Sequence, residues 1–97
     1  MITLEQLRTE YKPQILALAV KYGVENIRIF GSVARGDAND KSDIDFLFTR
    51  LRGTDLMDLG GLHSGLEETL GKKVDIVSDT AISPYMRERI LQEAVPL

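Results

Sequence analysis

Residues Asp43-Ile44-Asp45-Phe46-Leu47-Phe48-Thr49 alternate with a period that only a strand inside a sheet accommodates. Ile44, Phe46 and Phe48 share one face and need a covering layer, whereas Asp43, Asp45 and Leu47 share the other. Two carboxylates one residue apart on a strand repel each other. They stay ionised together only where a cation neutralises them, and hard carboxylate oxygens suit Mg²⁺ or Mn²⁺. Lys73-Val74-Asp75-Ile76-Val77 repeats the anomaly, with Val74 and Ile76 facing away from Asp75 and Val77. A charge inside such an apolar run needs a partner, because an unpaired buried carboxylate costs several kcal/mol.

The remaining elements follow from periodicity and end signals. Thr3 and Gln6 have the spacing of a capping box, and Leu4, Leu7 and Tyr11 mark an apolar helix face. Pro13 interrupts the pattern, which resumes at Ile15, Leu18, Ala19 and Tyr22 and stops at Gly23, so the spacing predicts one kinked helix or two. Ile27-Arg28-Ile29-Phe30 reads as a first strand, followed by a loop from Gly31 to Ser42 with room for a helical turn at Ser32 to Arg35. Leu56, Leu59, Leu62, Leu66 and Leu70 predict a helix, although Gly60, Gly61 and Gly65 each weaken it by about 1 kcal/mol, and Gly71 ends it. A last helix begins at Ser83 and Pro84, with Met86 and Ile90 directed inward. The expected architecture is a single α+β domain over residues 1–97, a two-layer fold with a small mixed three-stranded sheet and helices on one face.

The connection between the second and third strands contains a whole helix, the length a parallel crossover requires, and this puts Asp75 beside Asp43 and Asp45 at one sheet edge. The shorter link from the first strand allows an antiparallel neighbour and brings Gly31 to the same place. Gly31-Ser32 offers a residue without a side chain, then a hydroxyl and backbone N–H groups, a turn that favours phosphate oxygens. Arg35 adds a guanidinium for phosphate, or pairs with Asp37 or another acid. Phosphate contacts and a carboxylate cluster at one edge point to phosphoryl or nucleotidyl transfer.

Gly31-Ser32, ten intervening residues and Asp43-Ile44-Asp45 together resemble the signature of the DNA polymerase β-like nucleotidyltransferase superfamily. Phe30-Gly31-Ser32-Val33-Ala34-Arg35-Gly36-Asp37 with Ser42-Asp43-Ile44-Asp45 is similar to its minimal nucleotidyltransferase branch, whose members serve as MntA-type antitoxins beside HEPN-domain ribonuclease toxins. Asp37 stands where many relatives have Glu, outside the carboxylate triad. The resemblance implies that Asp43 and Asp45 bind the metals, that Asp75 acts as base or metal ligand toward the acceptor hydroxyl, and that Gly31-Ser32 holds the triphosphate of ATP. The implied reaction is transfer of AMP to a toxin tyrosine. Two alternatives stay open: an antitoxin that neutralises by binding alone, and a small-molecule nucleotidyltransferase that completes its acceptor pocket as an oligomer.

Composition narrows the partners. A net charge of −3, from 12 basic and 15 acidic residues without a basic run, argues against nucleic acid as the main ligand. The chain has no cysteine, which removes disulfides, thiolate metal sites and a thiol nucleophile. Neither a secretory leader nor a membrane span is expected, so the cytoplasm is the expected compartment. His63 flanks the leucine stripe and reads as a packed or surface residue, and Lys72-Lys73 and Arg87 to Arg89 read as solvated ends.

Overall fold

The computed structural model describes residues 1–97. Thr3 caps the first helix, α1 (Leu4–Thr9), with both bonds of the capping box in place: its Oγ1 accepts from the Gln6 N–H at 3.1 Å and its own N–H donates to Gln6 Oε1 at 2.9 Å. Pro13 sits in the first turn of a separate helix, α2 (Lys12–Tyr22), where its missing N–H costs nothing. Gly23 ends α2 in the left-handed region (φ 77°) and leads into β1 (Val24–Phe30). A five-residue helix, α3 (Gly31–Arg35), follows at once, then β2 (Ile44–Arg50), α4 (Leu56–Leu70), β3 (Val74–Ser78), α5 (Pro84–Glu93) and β4 (Val95–Pro96).

The sheet has the order β3-β2-β1-β4. β2 and β3 run parallel with α4 as the crossover, and β1 lies antiparallel to both β2 and β4. Two features depart from the sequence expectation. β4 adds a fourth strand, two residues long, pairing Val95 and Pro96 with Ile29 and Arg28. So short a run carries no alternation, and its proline is tolerated because the strand lies at the sheet edge. β1 also begins three residues early, because an irregularity between Glu25 and Arg28, with Asn26 at φ 53°, breaks the alternation there.

Helices α1, α2 and α4 cover one face of the sheet, where Ile29, Ile44, Phe46, Phe48 and Val74 pack against Leu7, Ile15, Ala19, Leu62, Leu66 and Leu70. On the other face a smaller cluster joins Phe30 and Leu47 to Ile82 and Ile90, so α5 partly covers the side expected to lack helices. Ile90 is the one buried residue of α5, and Met86, expected to point inward, is half exposed (49%). The longest helix thus closes the main core, while a lightly anchored one borders the face that carries the aspartates.

Candidate active site

Strand register brings the carboxylates together. Asp45 pairs across the parallel ladder with Asp75 and across the antiparallel ladder with Phe30, while Asp43 lies just before β2 on the same face as Asp45. Residues aligned in register stand about 5 Å apart. Asp43 and Asp45 are half-buried and Asp75 is exposed. Burial, the charge of Asp75, hydrogen bonding to Asp75 and the charge of Asp43 push the Asp45 carboxyl up to about 6 from 3.8, with Arg35 opposing weakly.

Gly31 follows Phe30 directly and adopts φ 72°, in the left-handed region that glycine enters without cost. A Cβ built there would collide with Asp45 Oδ2, so glycine is required both by the backbone and by the space the carboxylate occupies. Ser32, half-buried, comes next at the start of α3. Arg35, at the end of α3, donates from Nε to Asp37 Oδ2 at 3.2 Å and from Nη1 to Glu93 Oε1 at 3.0 Å. The bond to Asp37, with that to Glu93, raises its pKa.

Two recesses flank Asp45. One, of about 250 Å³, is bordered by Gly31, Ser32, Arg35, Arg89 and Glu93. The other, of about 430 Å³, is mainly apolar and runs from Asp45 and Asp75 past Val77 and Ile82 to Met86 and Ile90. Local sequence pattern does not place Arg89, Glu93 or Met86 here, since α5 reaches the site only through tertiary packing. The i,i+4 spacing of Arg89 and Glu93 was the available signal. His63 stays apart, its Nε2 2.7 Å from the Val74 carbonyl and 3.7 Å from Glu67 Oε2, which fits a packing role.

The donor set suits a hard divalent cation: carboxylates alone, mutually repelling, with one of them holding its proton more tightly than usual. No three ligating side chains are gathered at coordinating distance in this structure, so Asp43, Asp45 and Asp75 supply the chemistry of such a site without its final geometry.

Residues 13–97 match the family model described as polymerase beta, nucleotidyltransferase, and the chain belongs to that family. It is an enzyme of the nucleotidyltransferase class, for which a nucleotide substrate and a divalent metal are the general rule. Within the family it is similar to a chain of Methanocaldococcus jannaschii assigned as a protein adenylyltransferase, with 44% identity over 86 residues, covering 89% of this chain and 92% of the relative. It is also similar to the protein adenylyltransferase MntA of Thermococcus cleftensis, 32% identical over 95 residues and covering 98% and 96% of the two chains. Among solved structures, one described as a minimal nucleotidyltransferase superposes with a TM-score of 0.85 at 43% identity, covering 99% of this chain and 97% of that one. A toxin-antitoxin structure with AMP-PNP shares the fold with a TM-score of 0.74 at 22% identity, covering 88% and 70%. No helix is long and apolar enough to cross a membrane.

Proposed function

We propose that this chain is an MntA-type antitoxin that transfers AMP from ATP to a tyrosine hydroxyl of a partner HEPN-domain ribonuclease toxin. The observation that carries the reading is the register of Asp45 with Asp75 beside a Gly31 whose absent Cβ leaves room for the Asp45 carboxylate. Gly31-Ser32 and Arg35 hold the triphosphate in the smaller recess. Asp75 receives the proton of the acceptor hydroxyl as its oxygen bonds to the α-phosphorus, and the α–β phosphoanhydride bond breaks to release pyrophosphate. Asp43, Asp45 and Asp75 would hold Mg²⁺ or Mn²⁺, which supplies neutralisation of the phosphate charge that builds up during transfer. The apolar recess next to Asp75 suits an aromatic acceptor. The relative named MntA and the toxin-antitoxin neighbour support a protein partner.

Incubation with ATP, Mg²⁺ and the partner yields a toxin heavier by one AMP together with pyrophosphate. Absence of both products, or undiminished activity in Asp43→Asn or Asp45→Asn, rejects the reading. A second reading, neutralisation by binding alone, is favoured by the exposed Tyr85 (98%) and Leu91 (40%) on α5. It predicts that toxin inhibition survives Asp43→Ala with Asp45→Ala, whereas modification-dependent neutralisation disappears in that folded double variant.

A further inference from the structure

Arg35 and Arg89 converge on a single oxygen. Arg35 Nη1 donates to Glu93 Oε1 at 3.0 Å and Arg89 Nε to the same atom at 3.4 Å. An exposed i,i+4 pair such as Arg89–Glu93 contributes little on its own. Here the carboxylate is also held by a residue 58 positions away, so α5 and α3 are joined through it. Two guanidinium groups repel unless an anion lies between them, and Glu93 fills that place. Burial alone would raise the Glu93 carboxyl, but the bonds from Arg89 and Arg35 outweigh it and hold it below the usual range.

Both arginines border the recess that contains Gly31, Ser32 and Asp45. Arg35 commits Nε and one Nη to protein carboxylates, whereas Arg89 commits only Nε, leaving its terminal N–H groups unengaged. Charge points the same way. With Asp45 and Glu93 set against Arg35 alone, the recess would repel a polyanion, and Arg89 brings its border to neutrality before any metal is counted.

We propose that Arg89, on α5, is a second guanidinium of the nucleotide's phosphate subsite, kept beside Arg35 by their shared bond to Glu93. The inference rests on the reading that this site takes ATP. It gives α5 a share in substrate binding as well as in walling the site. The group recognised is the anionic phosphate chain, so nucleoside and base contacts are unaffected.

The test is calorimetric titration of the full chain with Mg-ATP and, separately, with adenosine. Arg89→Ala is expected to weaken ATP about tenfold, the scale of one lost charge-assisted contact, and to leave adenosine within about twofold. Arg89→Lys, which keeps the charge without the fork, is expected to recover part of the loss. Unchanged ATP affinity in Arg89→Ala overturns the inference, as does equal weakening of ATP and adenosine, which would mark a structural role. A wild-type chain that binds no ATP overturns the proposed function instead, so the two failures are distinguishable.

Discussion

Replacing Asp45 with Asn should make the metal-free protein more stable at neutral pH while removing transfer activity. The carboxyl titrates near 6 rather than 3.8, so the folded chain disfavours its ionised form by about 3 kcal/mol. Partial exposure of the carboxyl, and the solvent screening that comes with it, reduces that to about 1–2 kcal/mol. A folded-state value above the unfolded one means that the folded state retains its proton as the unfolded state loses it. The Asp45 contribution to wild-type stability therefore falls as pH rises from 3.8 to about 6 and levels off above. The amide has no such dependence. Its advantage is full above about pH 7, about a third as large near pH 4.5, and absent below the unfolded value. For a chain this short each kcal/mol moves the midpoint by about 4–8 °C, so chelated samples melted near pH 7.5 should differ by about 5–15 °C. An Asn variant no more stable than wild type near pH 7.5, or one with an equal gain near pH 4.5, would refute the argument that Asp45 is held in an unfavourable ionised state.

Other substitutions probe the same geometry. Asp75→Asn should lower the Asp45 carboxyl toward, though not to, its ordinary value, since burial is the larger cause; carbon-detected NMR titration of the Asp45 carboxyl reads this directly. Gly31→Ala should cost about 1–2 kcal/mol in urea unfolding for its positive φ, and should reduce ATP affinity at least tenfold by displacing the Asp45 carboxylate. Two adjacent glycines of α4 should respond with opposite signs. A Cβ at Gly60 meets open space and should stabilise by about 1 kcal/mol through helix propensity, whereas at Gly61 it strikes the Tyr22 ring and should cost about 1–3 kcal/mol, both measured by urea unfolding.

The site was legible in the sequence wherever strand parity governed it. Asp43 and Asp45 share a face because side chains alternate, and a helix-length connection made β3 a parallel neighbour, which the register of Asp45 with Asp75 bears out. Gly31 was legible as a point of close approach, though only the structure shows that the atom it makes room for belongs to Asp45. What sequence could not supply came from contacts between distant segments. Glu93 reaches Arg35 across the fold, Ile82 and Ile90 settle over Phe30 and Leu47, and the terminal Val95–Pro96 finds an edge on β1. None of these has a local period. Met86 illustrates the limit, because apolar spacing directs it inward while it borders an open recess.

Residue 31 contributes to the site by subtraction. Its value is a volume left empty, and emptiness cannot be restored by a compensating contact elsewhere in the chain. One added methyl group would move the Asp45 carboxylate while the main core, on the opposite sheet face, kept its packing. On the proposed function, a protein that modifies its partner and one that only grips it therefore stand a single substitution apart.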